Sequence, residues 1–393
     1  MAQFSKKYYL FLLVFLGFLS AFGPFVTDMY LPTLPALADI FNTSPSMVQM
    51  GLATSMIGLA VGQFFFGPLS DKYGRRPILI ASLAIFAVST VICIFSPTIE
   101  FFNAMRFLQG LGGSGGIVLA RSISTDAYSG RDLAKMLGII GAIVGIAPVI
   151  APVIGGLVAE SIGWKGIFWI LFGLGIYLLA MCIIFRETHL PEKRYKGSVA
   201  SLIKGFIRIL HLRYYVIYAL LFGFASGVLF AYVASAAFVI QDIFGYSELA
   251  FSLFFGVNAS GIGIGSVICL KAKTMERAGL WGAVISCVSA FLQIIFFLFF
   301  GFPFLAYEIL SFTMLVGVGF MFTSASTLSM EEGREYTGAA AAIFGAGGFL
   351  FGGVVSPLVG IGNIASTSLI ILTICSLVSL MLAWMGRNRR PTT

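Results

Sequence analysis

Residues Gly67–Pro77 read GPLSDKYGRRP, a short polar stretch between two long apolar runs, Met47–Phe66 and Ile78–Ser96. A helix needs roughly 20 mostly apolar residues to cross a bilayer, and each of these runs approaches or reaches that length. The stretch therefore predicts a charged loop that joins two membrane-spanning helices.

The same alternation of apolar runs and short polar connections continues along all 393 residues, of which 59% are hydrophobic and only 10% are charged. Since no soluble domain buries that much apolar side chain, the bilayer must surround most of the chain. The runs are continuous rather than alternating, which predicts helices and not barrel strands. We predict twelve spans, numbered here in chain order: Tyr8–Leu31, Met47–Phe66, Ile78–Ser96, Phe101–Ser122, Leu133–Leu157, Ile162–Phe185, Tyr214–Ile240, Leu249–Leu270, Trp281–Phe300, Phe304–Met330, Ala339–Leu358 and Ile364–Met385.

The basic residues lie in alternate connections. If the N-terminus is cytoplasmic, all but two of the 24 Lys and Arg residues fall in cytoplasmic segments; Lys165 lies outside and Arg106 within span 4. This asymmetry follows the positive-inside rule and predicts that both termini are cytoplasmic. The long basic connection then predicts two pseudo-symmetric six-helix bundles, at residues 1–190 and 214–393, with a cytoplasmic linker at 191–213.

Cofactor and metal chemistry have no signal in this sequence. The five cysteines are scattered through apolar runs without a C-x-x-C pair, and no nucleotide-binding loop occurs. The spans contain no histidine and no clustered carboxylates, which argues against an enzyme. We therefore predict no cofactor, no metal, no nucleic-acid partner and an energy source other than ATP.

The loop between spans 2 and 3 has a candidate gating role. Gly67 and Gly74 permit a tight turn, and Asp71 can pair with Arg75 or Arg76 or can cap a helix N-terminus. A simple basic turn is the alternative, but it accounts for the arginines and not for the aspartate.

Span 5 contains GAIVGIAPVIAPVIGG, in which two prolines each remove a backbone hydrogen bond and predict bends. The glycines permit close approach of another backbone, either for tight helix packing alone or to seal one side of a cavity. The residues of this candidate motif are Gly141, Gly145, Pro148, Pro152, Gly155 and Gly156.

Span 4 reads RFLQGLGGSGG from Arg106, and with the two stretches above it resembles the major facilitator superfamily. The loop is similar to that family's G-x-x-x-D-x-x-G-R-R loop, span 4 to its arginine motif, and span 5 to the glycine and proline motif of its antiporters. TDMYLP at the end of span 1 and GWKGIF at the start of span 6 look like the bicyclomycin/chloramphenicol-resistance branch of drug–proton antiporters. The resemblance implies the major facilitator fold and a loop that clasps the two halves when the transporter is open to the outside. It also implies a monomer in the inner membrane of a bacterium, driven by the proton gradient, whose partners are a small-molecule substrate, protons and the lipid bilayer.

Two charges of opposite sign lie at similar depth in the predicted N-terminal bundle. Asp28 is about 30 Å along span 1 from Tyr8, and Arg106 is only about 8 Å from the outer end of span 4. Charges inside a membrane are costly and tend to be paired at a cavity. We predict that Asp28 carries the coupling proton opposite Arg106; the alternatives are an interfacial helix-end role for Asp28 and an arginine that snorkels to water.

Further polar residues complete the predicted substrate cavity of Asp28 and Arg106. Gln109 shares the face of Arg106 on span 4, Asn258 lies in the middle of span 8, and Glu308 occupies the place in span 10 that Arg106 has in span 4. For Glu308 a position on the rim is equally open. The predicted function is proton-coupled efflux of small amphiphilic drugs by alternating access, and the alternative is a metabolite or sugar exporter or symporter of the same fold.

Overall fold

A computed structural model describes residues 6–128, 130–194, 207–334 and 337–387. These residues are helical almost throughout, and no β-strand occurs among them. The predicted all-α class is therefore confirmed.

Span 1 is not one continuous helix. It consists of the helices Lys6–Ser20 and Phe22–Asp28, a 3-10 turn at Leu31–Thr33 and the helix Leu34–Ile40. Pro24, Pro32 and Pro35 explain the interruptions, because each lacks the amide hydrogen that a regular helix needs.

Spans 2 to 12 each follow as a single long helix. Several begin at a residue whose side-chain oxygen accepts a hydrogen bond from the third residue of the helix, which satisfies an amide that the helix leaves unpaired. Thr98, Ser247, Thr274 and Asn363 do this for spans 4, 8, 9 and 12. The helices are Pro45–Tyr73, Arg75–Ile94, Ile99–Ala127, Gly130–Ile162, Trp164–Ile184, Arg213–Phe238, Glu248–Cys269, Met275–Phe299, Phe304–Glu332, Thr337–Val359 and Ile364–Gly386.

Within the described residues, ten helices are long and apolar enough to cross a membrane by length and composition. Span 4 falls short because Arg106, Gln109 and a run of glycines dilute its apolar residues, and in span 5 the apolar helix found is Ile146–Ile162. The chain is therefore a multi-pass membrane protein.

The contacts group the chain into two compact units. The N-terminal unit comprises Met1–Tyr30 and Thr54–Ser198, and the C-terminal unit comprises Leu31–Ala53 and Val199–Thr393. The end of span 1 and the start of span 2 thus belong to the C-terminal unit. One contact of this kind is the hydrogen bond that the side-chain amide of Gln49, in span 2, donates to the carbonyl of Ala234, in span 7, at 3.0 Å. The two predicted bundles, in contrast, are continuous stretches of the chain that end at residue 190 and begin at residue 214. These boundaries stay a prediction.

The predicted turn at Gly67 is wrong. The helix of span 2 continues through Pro68 to Tyr73, and the turn consists of Gly74 alone. Gly74 has a φ of +103°, a region that glycine adopts freely and other residues rarely do. Next to Pro68, the hydroxyl of Ser70 donates a hydrogen bond to the carbonyl of Gly67 at 2.7 Å.

Candidate functional site

Asp28 ends the second helix of span 1 and is buried there, with 6% of its surface exposed. Its carboxylate oxygen Oδ1 lies 2.7 Å from the hydroxyl of Thr27, and the same hydroxyl lies 2.9 Å from the carbonyl oxygen of Gly23. A hydroxyl has one proton to donate, so Thr27 can serve only one of these acceptors fully. The burial places Asp28 away from the exposed helix-end position that the alternative interpretation requires.

Arg106 lies wholly inside the N-terminal unit, with 0% of its surface exposed. One guanidinium nitrogen donates to the side-chain oxygen of Gln109, and the other donates to the carbonyl of Val26 at 2.8 Å and to the hydroxyl of Ser55 at 3.2 Å. The guanidinium also lies 4.2 Å from the centre of the Tyr30 ring. Arg106 therefore does not snorkel to water, and dipoles and an aromatic face stabilise its charge.

Span 1 connects the two charges. Arg106 bonds the carbonyl two residues before Asp28 and stacks on the ring of Tyr30 two residues after it. The guanidinium donates to Gln109, Val26 and Ser55, and the Asp28 carboxylate accepts from Thr27. The two groups thus belong to one buried cluster, and the backbone of span 1 links them.

Gln109 extends this cluster to span 3. Its amide nitrogen donates to the hydroxyl of Thr90 at 2.8 Å, and Thr90 donates in turn to the carbonyl of Phe86 at 2.6 Å. Sequence reasoning placed Gln109 beside Arg106 correctly but missed Ser55, Thr90 and Tyr30. Their polarity alone does not distinguish them from the other hydroxyl-bearing residues of the spans.

The end of the span 5 motif lies against the same part of span 1. A Cβ atom at Gly155 would come within 1.8 Å of the carbonyl oxygen of Met29, so only glycine allows the two backbones to approach this closely. Met29 directly follows Asp28, which makes span 5 a wall of the buried cluster. Gly141, Gly145, Pro148, Pro152 and Gly156 all lie within the one helix Gly130–Ile162, which continues through both prolines.

The gating loop forms a second polar cluster, around Arg75. This residue is 5% exposed, and its guanidinium bonds Asp71, the hydroxyl of Ser70 at 2.7 Å and the carboxylate of Asp126 at 2.8 Å. Asp126 lies at the end of span 4 and had not been predicted. The arginine therefore ties the end of span 2 to the end of span 4.

Glu187, which follows span 6, closes this cluster. Its two carboxylate oxygens accept from the backbone amides of Arg75 and Arg76, both at 3.0 Å, and so cap the start of span 3. Arg76 donates in return to the carbonyls of Cys182 and Ile183 at the end of span 6. Of the predicted options for Asp71, pairing with Arg75 is the one found, and the cap of span 3 comes from Glu187 instead.

Asn258 and Glu308 meet in the C-terminal unit. The amide nitrogen of Asn258 donates to a carboxylate oxygen of Glu308 at 2.7 Å and to the hydroxyl oxygen of Tyr232 at 2.8 Å. The five residues predicted for the cavity thus form two polar clusters, one in each unit.

Comparison with known proteins identifies transporters. Residues 10–357 match the family model described as Major Facilitator Superfamily. The chain is 37% identical over 353 residues to "Uncharacterized MFS-type transporter YdgK" of Bacillus subtilis, covering 88% of each protein. It is 31% identical over 283 residues to "Bicyclomycin resistance protein homolog" of Haemophilus influenzae, covering 70% of this chain and 71% of that protein.

A shorter match and a solved structure agree with these relatives. The chain is 31% identical over 233 residues to "Chloramphenicol resistance protein" of Pseudomonas aeruginosa, covering 59% of this chain and 55% of that protein. The xylose transporter XylE of E. coli superposes with a TM-score of 0.76 over 97% of this chain and 98% of its own, at 14% identity, which shows the fold alone. The resemblance predicted from the motifs is confirmed by these relatives.

Proposed function

Because the chain belongs to the Major Facilitator Superfamily, a family of membrane transporters, we propose that it exports small amphiphilic drugs or related compounds in exchange for protons, by alternating access. The observation that carries this proposal is Asp28, a carboxylate buried in a membrane span within the same cluster as Arg106. A charged residue inside a membrane span costs free energy, and such residues usually mark the path of a substrate or an ion.

In this proposal Asp28 carries the proton. When Asp28 is ionised, it accepts the hydroxyl proton of Thr27; when it is protonated, Thr27 is released to donate to the carbonyl of Gly23. The carbonyl of Val26 lies between these positions and accepts from Arg106. Protonation therefore alters the hydrogen bonds of the helix turn that holds the arginine, which provides a route from the proton to the rest of the cluster.

The cluster around Arg75 is the proposed inner gate. Its bonds join the ends of spans 2 and 4 and the start of span 3, all on the side predicted to be cytoplasmic. Gly67, Asp71, Gly74, Arg75 and Arg76 would act there as a switch that is made and broken in each cycle.

The names of the relatives suggest the substrates. Chloramphenicol and bicyclomycin are the compounds that the printed names of two relatives mention, and both serve here as first candidates for export. The proposed site of action is the bacterial inner membrane, with both termini in the cytoplasm, a monomer as the working unit, and the proton gradient rather than a cofactor as the source of energy.

The decisive experiment measures chloramphenicol uptake into inverted membrane vesicles under an imposed proton gradient. Asp28→Asn should lower gradient-driven uptake to the level of vesicles without the protein, because an amide cannot exchange a proton. Asp39→Asn is the matched control, since Asp39 is an exposed aspartate at the end of the same span. It should leave uptake unchanged.

Two results would contradict this assignment. If Asp28→Asn still responds to the gradient like the wild type, the proton travels by another carboxylate. If uptake rises only when the substrate gradient and the proton gradient point in the same direction, the protein is a symporter.

A further inference from the structure

An open groove lies between spans 9 and 12 of the C-terminal unit. Its volume is about 490 Å³, and two side chains of span 9 and four of span 12 line it: Leu280, Val284, Leu377, Leu380, Met381 and Trp384. All six side chains are uncharged and largely apolar. Met381 and Trp384 are 54% and 53% exposed, so the groove opens away from the protein interior, toward the bilayer.

The lining residues form one stripe on each helix. On span 9, Leu280 and Val284 are four residues apart, and on span 12 the lining residues follow Leu377 by three, four and seven positions, ending at Trp384. Residues so spaced share one face of a helix. The opposite side of span 9 packs on span 10, where a Cβ atom at Gly282 would come within 2.6 Å of a backbone carbonyl oxygen. The stripe of span 9 is therefore left facing span 12.

Two arginines continue these stripes at one end of the groove. Successive spans alternate in direction, so the start of span 9 and the end of span 12 lie at the same end. Arg277 comes three residues before Leu280, and Arg387 comes three residues after Trp384, which is about 4.5 Å along the helix in each case. Both arginine side chains are exposed. The guanidinium of Arg387 lies 4.7 Å from the centre of the Trp384 ring, so this cation stacks on the wall of the groove.

The charge at this end of the groove is mainly positive. Residues 271–278 include three basic residues, Lys271, Lys273 and Arg277, and one acidic residue, Glu276. The three basic side chains are exposed, as is that of Arg387. The positive-inside rule predicts that this end faces the cytoplasm. Basic pockets between membrane helices on that side bind the head groups of anionic lipids.

The groove and its charged end together call for a ligand that is apolar along its length and anionic at one end. A phospholipid with net negative charge meets both requirements, because its acyl chain is a flexible hydrocarbon and its phosphate accepts hydrogen bonds from guanidinium groups. A zwitterionic lipid has its own cation beside the phosphate, and the arginines repel that cation. A second copy of the chain fits less well, because a twofold axis beside this groove would bring the arginines of both copies to the same level of the membrane.

We propose that the groove between spans 9 and 12 binds an anionic phospholipid, with an acyl chain along the two apolar stripes and the phosphate held by Arg277 and Arg387. Trp384 then lies at the level of the head group, where amphipathic indole rings are enriched in membrane proteins. This site is independent of the proposed export function, because it lies on the membrane-facing side of the C-terminal unit.

The test uses the full-length protein reconstituted in vesicles of phosphatidylcholine that carries bromine atoms on its acyl chains, which quench tryptophan fluorescence on contact. Phosphatidylglycerol without bromine should relieve the quenching of Trp384 as it displaces the brominated lipid from the groove. The part of the signal that Trp384→Phe removes reports this site, since the other three tryptophans stay in place. We expect a preference for phosphatidylglycerol over phosphatidylcholine of about fivefold or more at this site, because each arginine attracts the anionic head group.

Charge removal at the groove is the matching variant. Arg277→Gln together with Arg387→Gln should leave the two lipids with nearly equal affinity, whereas replacing both arginines by lysine keeps the charge and should keep most of the preference. The matched control is Arg121→Gln together with Arg186→Gln, which removes two exposed arginines from the N-terminal unit, also at positions predicted to be cytoplasmic. This control should bind both lipids like the wild type.

Three outcomes would overturn the proposal. They are equal affinity of the wild type for both lipids, an unchanged preference in the groove variant, and an equal loss of preference in the groove variant and the control. The last result would show diffuse attraction by the positive charge of the whole protein rather than a site. If the double glutamine variant does not fold, Arg277→Gln and Arg387→Gln are measured singly; each should weaken the preference at least about twofold, and no effect of either would overturn the proposal equally.

Discussion

Thr27 has one hydroxyl proton and two acceptors within reach, the Asp28 carboxylate and the carbonyl of Gly23. Serine and threonine hydroxyls in this protein often donate to a carbonyl three or four residues earlier, as Ser235 does to Ala231 at 2.8 Å. Thr27 differs because a titratable group competes for that proton. A change of charge at Asp28 would therefore alter the hydrogen bond that Thr27 donates to the backbone of span 1.

Arg106 gives a prediction at this scale. Arg106→Ala should lower the free energy of unfolding by about 3 kcal/mol, because it leaves Gln109, Ser55 and the carbonyl of Val26 buried without their donor. Arg106→Lys should lose less, since one ammonium group can satisfy some of these acceptors but cannot reproduce the planar fork. Thermal unfolding of the purified variants measures the difference.

Arg121→Ala is the matched control for this prediction. Arg121 lies on the same helix as Arg106, but its side chain is exposed. Its removal should leave the unfolding temperature within experimental error of the wild type. An equal loss of stability in Arg106→Ala and Arg121→Ala would show that the buried hydrogen bonds of Arg106 contribute little.

Sequence reasoning identified Asp28 and Arg106 because a charge in an apolar run is costly and therefore stands out. It did not identify Ser55 or Thr90, whose side chains bond Arg106 and Gln109. Serine and threonine are common in membrane helices, where their hydroxyls can bond their own helix, so their presence alone carries no signal. Only the packing of spans 1 to 4 shows which of them contact the arginine.

Helix ends in this protein are tied by residues distant in sequence. Glu187 accepts from the amides of Arg75 and Arg76, and so caps a helix that begins more than a hundred residues earlier. No local rule for helix starts could find such a cap. The turn at Gly74 was predictable, because glycine followed by two arginines and a proline is typical of a helix start, whereas the continuation of span 2 through Pro68 was not.

Asp71 gives a prediction at the scale of the elements. Its side chain is 45% exposed and bonds Arg75 four residues later, and exposed pairs of this kind contribute only about 0.2–1 kcal/mol. Asp71→Asn should therefore leave the unfolding temperature nearly unchanged. If its charge holds the inner gate closed, the variant should still bind chloramphenicol while its transport rate falls several-fold.

Asp126→Asn separates gating from structural support. Asp126 is only 18% exposed and accepts from the Nε of Arg75, so its loss should lower stability as well as transport. Initial rates in vesicles and ligand affinities of purified protein give both quantities for each variant. If Asp71→Asn transports at the wild-type rate, the charge of Asp71 does not control the gate and the residue has only a structural role near the turn.

At the scale of the whole molecule, the count of twelve spans came from apolar length and from the alternation of basic residues. The count by length and composition alone finds ten helices in the described part of the chain, and it omits span 4 because Arg106, Gln109 and several glycines dilute the apolar residues there. The distribution of Lys and Arg supports both span 4 and span 5, because without this pair Arg121, Arg131 and Lys135 would lie in a loop on the outside. The grouping of Leu31–Ala53 with the later spans was beyond sequence reasoning, because it depends on contacts such as Gln241 with the carbonyl of Pro32.

The last prediction concerns orientation, which the positive-inside rule assigns and the helices by themselves do not. Lys165, at the start of span 6, should face the outside, and Lys273, between spans 8 and 9, should face the cytoplasm; both side chains are exposed. Lys196 and Arg389, also predicted to be cytoplasmic, lie outside the described residues. Single cysteines at positions 165 and 273, in a background from which the five natural cysteines have been removed, would react differently with a membrane-impermeant thiol reagent. In intact cells position 165 should label and position 273 should not, and disruption of the membrane should expose both. Labelling of position 273 in intact cells would reverse the assigned orientation, and with it the direction in which Asp28 would have to load and release its proton.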